Sequence, residues 1–242
     1  MTKQSLDKTI IYQDSECLIV NKPAGSSAQD DHTDGQSIHA GLENFVHKPL
    51  YLVHRLDKPT SGVMLFAKRK KVAAYLNDLL SGQNEDFKKE YLAAVKNPPV
   101  PANGKLTHYL LHDKKQRKSL LAGSKSGKSK EAVLEYETLA TSDHYTLLKI
   151  RIETGRFHQI RAQLSAIGSP IKGDVKYGAR RSNKDRSIHL HAYSLQVYLG
   201  HKKIYAQAAL PDDPVWNAFK SMHEELSQDK FELWKEEPTS TN

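Results

Sequence analysis

Two short segments carry side chains that could do chemistry together. The first is His54-Arg55-Leu56-Asp57-Lys58-Pro59-Thr60-Ser61-Gly62. A carboxylate with guanidinium and ammonium neighbours stays ionised and is available as a nucleophile or base. Read as the end of a strand over 50–57, the segment puts Arg55 and Asp57, two residues apart, on the same side. The pattern equally suits an Asp57 that caps the following turn through the Thr60 or Ser61 amide. The second segment is Thr154-Gly155-Arg156-Phe157-His158-Gln159-Ile160-Arg161. Phe157, Ile160, Leu164 and Ile167 recur at helical spacing and predict a helix over about 157–167. Gly168 closes it and Pro170 lies just beyond. Arg161 falls at the edge of the apolar face, with His158 one turn earlier. From there Arg161 can reach inward to a buried carboxylate or lie on the surface, as most helix arginines do.

The flanking sequence must position these groups, and it reads mostly as strands. Strand-like runs occupy 10–13, 17–22, 63–68 and 91–96, and the runs at 132–140 and 145–153 alternate at period two. Residues 105–123 read as a hairpin with a basic tip, since an apolar run flanks the charges on each side. Residues 188–199 and 203–210 read as a closing strand pair with Gly200 in its turn. Residues 70–81 predict a helix, with Val72, Tyr75, Leu76, Leu79 and Leu80 at a 3.6-residue rhythm, and 214–226 a shorter one. Strands outnumber helices and do not alternate with them strictly, which points to the α+β class rather than a doubly wound α/β fold. No repeat or Pro/Gly-rich linker divides the chain. One domain over 1–226 and an acidic tail over 227–242 are expected.

Composition narrows the setting. Of 242 residues, 38% are hydrophobic and 26% charged, which excludes a disordered or collagen-like chain. No apolar run approaches the ~18 residues of a membrane helix, and no membrane partner is expected. The opening residues lack the apolar core of a signal peptide. The single Cys17 excludes an intramolecular disulfide and a cysteine-based zinc site. A reduced, cytoplasmic setting fits.

The net charge of +8 suits a partner that is a polyanion. It is unevenly placed. Residues 223–242 carry a net −4, and residues 111–130 carry Lys114, Lys115, Arg117, Lys118, Lys125, Lys128 and Lys130 against Asp113. By itself such a run is as readily a solvated loop as a contact surface. Two other motifs fail. Gly123 to Gly127 has three intervening residues where a phosphate loop needs four, and a strand rather than a helix follows. His223-Glu224-Glu225 lacks the second histidine of a zinc protease helix. The histidines show no other metal spacing, and no metal is expected.

The two reactive segments together resemble the signature of the RluA-type RNA pseudouridine synthases. HRLDKPTSG at 54–62 resembles that family's catalytic loop. KEY at 89–91 resembles the motif supplying its active-site tyrosine, and GRFHQIRAQLSAIGSPIKGDVKYG at 155–178 the motif supplying its arginine. IVNKPAG at 19–25 resembles the opening strand and IHLHAYSL at 188–195 a late one, so the likeness spans roughly residues 10–210 in the family's order. Two departures stand beside the site. Phe157 replaces a small residue, usually Thr, and Ala162-Gln163 replaces a common Val-His.

The resemblance implies a pseudouridine synthase fold: a mixed, mainly antiparallel sheet with a central cleft and flanking helices. It implies isomerisation of uridines in tRNA or rRNA without cofactor or metal, by a monomer. Asp57 becomes the essential carboxylate, Tyr91 the stacking partner of the flipped uracil, and Arg161 the partner that keeps Asp57 ionised and aimed. Arg55 fills the space the base vacates, and His54 joins it as an RNA contact. The catalytic pattern starts by about residue 10, so no N-terminal RNA-binding module of the S4 type is expected. RNA affinity then falls to the basic segment, chiefly Lys114, Lys115, Arg117 and Lys118. The alternative within the same fold is an RNA-binding or RNA-remodelling protein that does not turn over.

Overall fold

Alternating apolar residues set the architecture. In the run Cys17–Lys22, Leu18 and Val20 enter one core while Cys17 and Ile19 enter another on the opposite face. A strand buried on both faces needs cover on both, and helices supply much of it. The computed structural model describes residues 3–30, 37–81, 86–125 and 127–220. In chain order the elements are α1 (Lys3–Asp7), β1 (Ile10–Gln13), β2 (Cys17–Lys22), α2 (Ile38–Val46), β3 (Tyr51–Leu52), β4 (Ser61–Ala67), α3 (Lys70–Ser81) and β5 (Phe87–Val95). Then follow β6 (Asn103–Asp113), β7 (Lys118–Ala122), β8 (Lys130–Thr141), β9 (Thr146–Ile152), α4 (Gln159–Ala166), β10 (Leu190–Leu199), β11 (Lys202–Gln207) and α5 (Pro214–Asn217). A single 3-10 turn spans Val175–Tyr177.

Among the described residues one sheet runs in the order β1-β2-β4-β10-β5-β9-β8-β6-β7, with β3 also on β4 and β11 also on β10. Its pairings are antiparallel except β4 with β10, which is parallel. The expected mixed, mainly antiparallel α+β architecture is therefore the observed one. Ile38 and Leu42 of α2 and Ile160 and Leu164 of α4 pack on one face with Leu18, Val20, Met64 and Phe66. Val72 and Leu76 of α3 pack on the other with Ile19, Val63 and Leu65. Tyr75 of α3, expected on that apolar face, is 40% exposed.

Two expected elements differ. The strand over 50–57 is only Tyr51–Leu52, and residues 53–60 leave the sheet as an irregular loop. The cause is local. Beyond Val53, whose N–H donates to Leu65 O at 3.4 Å, the backbone pairing to β4 gives way to a side chain. The His54 ring takes over a ladder position, its Nε2 accepting from the Leu65 N–H at 3.3 Å. Arg55 and Asp57 thus sit on a loop, and the strand argument for their shared side falls. The helix expected from Phe157 begins at Gln159, because His158 is left-handed at φ 49. Its end is as expected: Gly168 takes φ 78, and the Ser169 N–H closes back to Leu164 O at 2.9 Å. The helix expected over 214–226 is described only as α5. Its distal part, the His223-Glu224-Glu225 motif and the acidic tail lie outside the described residues.

Gly62 shows why the loop that carries Asp57 must enter β4 as it does. It pairs with Ala192 across the parallel β4–β10 join and has φ +114. A Cβ there would lie 2.2 Å from the Ala192 carbonyl oxygen, which is backbone and cannot step aside. Gly62→Ala should therefore cost about 3 kcal/mol or more, combining left-handed strain with overpacking. Urea unfolding followed by circular dichroism measures it, and a loss under about 1 kcal/mol would show that the join is not tight.

Candidate active site

The loop that carries Asp57 is held by its own backbone. Thr60 N–H closes a turn on Asp57 O at 3.0 Å, and the Lys58 carbonyl accepts from Gly25 N–H at 2.8 Å. The Pro59 carbonyl accepts from Ile188 N–H at 3.1 Å. A third anchor was not foreseen from sequence. Lys22 is fully buried, and its ammonium donates to the carbonyls of Pro23, Ser26 and Lys58 at 3.0, 2.9 and 3.3 Å. Burial pushes its pKa down to about 7, and the Asp57 charge opposes the shift. The signal available was a lysine closing the apolar run CLIVNK.

Arg161 comes to the same place from α4. The strand-to-helix turn before it is shaped by Gln159, whose Oε1 accepts from the Thr154 hydroxyl at 2.8 Å and the Arg156 N–H at 3.0 Å. One turn of helix then places Arg161, 5% exposed, facing inward. Its Nη1 donates to Asp57 Oδ2 at 2.8 Å. Its Nε and Nη2 donate to the two oxygens of Asp174 at 2.6 and 2.8 Å, a bidentate grip. Burial works against the guanidinium charge, but the Asp174 and Asp57 carboxylates outweigh it and hold Arg161 firmly cationic. Of the readings open for Arg161, the inward one is the observed one. Asp174 was missed; the signal was an aspartate inside the GDVKYG stretch.

Around Asp57 lies a cleft of about 720 Å³ whose walls include Arg55, Lys89, Tyr91, Arg156 and Arg161. That volume suits a nucleoside-sized ligand. Tyr91 is 7% exposed at the centre of β5, and burial together with the Asp57 charge keeps its hydroxyl protonated. Burial also pushes Lys89 down to about 8. Arg55 is exposed at the cleft wall. His54 lines the cleft but is tied to β4, and burial with the nearby Lys89 lowers its pKa to about 3. It is a neutral group in the cleft wall.

The structure thus brings Asp57, Tyr91, Arg161, Arg55 and His54 into one cleft. Lys114, Lys115 and Arg117 stand apart, exposed at the tip between β6 and β7. Lys118 is not free at that tip: its ammonium lies 4.9 Å from the Tyr177 ring centre. A second basic surface, not singled out from sequence, is formed by the exposed Arg180, Arg181, Lys184 and Arg186. It adjoins the catalytic loop through the Ile188 to Pro59 bond. The departures also have places. Phe157 stacks between His112 at 4.2 Å and His158 at 3.8 Å. Gln163 is buried and donates to Leu106 O and Ala132 O, both at 3.1 Å.

Comparison with known proteins places this geometry in context. Residues 16–166 match the family model described as RNA pseudouridylate synthase. The chain is 32% identical over 203 residues to ribosomal large subunit pseudouridine synthase D of Borreliella burgdorferi, covering 79% of this chain and 61% of that protein. It is 32% identical over 206 residues to tRNA pseudouridine synthase C of Pasteurella multocida, covering 78% and 82%. Among solved structures, human RNA Pseudouridylate Synthase Domain Containing 4 superposes with a TM-score of 0.73 at 26% identity, over 91% of this chain and 95% of that one.

The neutral histidines of the cleft have a consequence for acid stability. His54 and His158 both have pKa values lowered from 6.5 to about 3, chiefly by burial. Between those limits the unfolded chain binds protons at these rings and the folded chain does not, so stability is lost as pH falls. Thermal melts between about pH 7 and about pH 4.5 should show a falling Tm, less steep in His54→Gln, whose Oε1 can still accept from Leu65. A slope unchanged by that substitution would mean His54 is charged in the folded protein.

Proposed function

The chain belongs to the RNA pseudouridylate synthase family, and from that membership and the geometry of its cleft we propose that it isomerises specific uridines of tRNA or rRNA to pseudouridine. The observation that carries the reading is the carboxylate of Asp57, 24% exposed in the cleft and gripped by an arginine that is itself fixed by Asp174. In the reaction the N1–C1′ bond breaks, the uracil turns within the pocket, and C5 bonds to C1′. C5 loses its proton and N1 regains one, so no group is added and there is no net oxidation or reduction.

Each residue has work in that scheme. Asp57 is the essential carboxylate at the reacting nucleoside, and Arg161 pairs with it and aims it. Tyr91 stacks on the flipped uracil, near the carbon whose proton is lost. Extruding the base costs a few kcal/mol, and Arg55 at the cleft wall offsets part of this by filling the vacated space. The phosphate backbone is gripped by the hairpin tip on one side and by Arg180, Arg181, Lys184 and Arg186 beside the catalytic loop.

Asp57→Asn keeps the size and removes the charge. It should abolish pseudouridine formation while RNA affinity stays within a few-fold. Pseudouridine mapping in cellular RNA, with and without the protein, identifies the substrate; turnover by the Asn variant on that RNA would sink the assignment.

The tip makes a separate prediction. Lys114→Ala, Lys115→Ala and Arg117→Ala combined should weaken binding and flatten its salt dependence. Each lost phosphate contact removes roughly 0.7–0.9 from the slope of log affinity against log salt. An unchanged slope would mean that these charges are merely solvated.

A further inference from the structure

The β6–β7 hairpin reaches the catalytic carboxylate through a chain of hydrogen-bonding groups. The Ser119 N–H, the second residue of β7, donates to the Tyr177 hydroxyl at 2.7 Å. That hydroxyl lies 2.9 Å from His158 Nδ1. Tyr177 is 3% exposed, and the described residues offer its single proton no other acceptor. The tyrosine therefore donates to Nδ1, and the neutral imidazole carries its own proton on Nε2. The other end of the ring agrees: Nε2 lies 3.5 Å from Asp57 Oδ2, where a lone pair would be repelled by the carboxylate and an N–H attracted.

The ring is also held mechanically. His158 sits in the left-handed region, which a residue with a side chain occupies only when its surroundings impose it. Phe157 stacks on it, and His112 of β6 stacks on Phe157. The Ser119 hydroxyl donates to the Phe157 carbonyl, and Lys176 donates to the Arg117 carbonyl at 3.1 Å. Asp57, Arg161, Asp174, Lys176 and His112 are the charged or titratable groups around the ring. Burial first, then Arg161 and Lys176, keep it uncharged.

We propose that His158 and Tyr177 are positioning residues for Asp57, and that the hairpin which grips RNA also sets their aim. This rests on the reading that Asp57 carries the reaction. The separation of 3.5 Å is longer than a hydrogen bond. Seating RNA on the hairpin presses Ser119 and Tyr177 toward α4 and closes it, as catalytic contacts tighten in the loaded enzyme. The hairpin is then part of the active site as well as a handle. Phe157, the departure from the family's usual small residue, is the stacked link between the two.

The test uses full-length protein, RNA from cells lacking it labelled with tritium at uridine C5, and single-turnover tritium release. His158→Leu and Tyr177→Phe should bind that RNA within a few-fold of wild type and react roughly tenfold to a hundredfold more slowly, the scale of a misplaced catalytic group. His158→Gln should recover most of the rate, because its amide N–H can stand where the imidazole Nε2–H stood. Nitrogen NMR of the histidine rings, with His158 assigned by its loss in the Gln variant, should show the proton on Nε2, and Tyr177→Phe should mix the tautomers. A wild-type rate in either slow variant, or a proton on Nδ1, would overturn the proposal. If His158→Leu does not fold, Tyr177→Phe and the NMR measurement still decide it. If the wild type itself releases no tritium, the functional reading fails, and the tautomer still tests the relay.

Discussion

The structure depends on one buried cation. Arg161 is shared between Asp174, which grips it with both oxygens, and Asp57, which takes the remaining Nη1. The sharing is unequal in burial: Asp174 is 1% exposed and Asp57 24%. Desolvating an ion in a protein costs several kcal/mol, which the pairing offsets only with good geometry and satisfied partners. Asp174 supplies that geometry. It fixes the guanidinium plane, so that Arg161 can direct Asp57 toward the cleft without relying on Asp57 to hold it. The inner pair is closed to solvent, and the outer carboxylate faces the cleft.

That arrangement requires chain segments that are far apart in sequence to be registered within fractions of an ångström. Asp57 and Arg161 are separated by 104 positions. The Asp57 loop is anchored on its own side by Lys22 and Gly25 and on the far side by Ile188. Immediately after it, β4 pairs in parallel with β10, and the buried Ser61 hydroxyl lies 2.8 Å from His191 Nδ1. The close backbone approach at Gly62 leaves no slack in that join.

Much of this was legible in the residues. Period-two runs located the central strands, and the apolar spacing with Gly168 located the end of α4. The motifs named Asp57, Tyr91 and Arg161 before any geometry. What was not legible has a common cause: it depends on tertiary partners. The stretch over 50–57 looks like a strand because Tyr51, Leu52 and Val53 are β-prone, yet beyond Val53 the His54 ring and not the backbone bonds β4. His158 looks helical because the apolar period runs through it, yet its backbone is left-handed at φ 49 and the helix starts one residue later. Asp174, Tyr177 and Lys22 carry no local signal beyond their types, since each acquires its role from a partner in another element or loop: Arg161, His158 and the Lys58 carbonyl. Lys118 looked like one of four equivalent tip cations until Tyr177 was found beneath it.

The parallel join has one more consequence, for the order in which the molecule assembles. Among the described residues, β4, which follows the Asp57 loop, reaches β5, which carries Tyr91, through its pairing with β10. The residues paired there, Ser61 and His191, are 130 apart. Hairpins such as β6–β7 and β10–β11 close over a few residues, whereas joining ends this distant carries a larger loop entropy and comes later. Asp57 and the Tyr91 side of the cleft therefore stay apart until the slowest pairing forms. A partly folded chain can own a complete basic hairpin and still hold no active site.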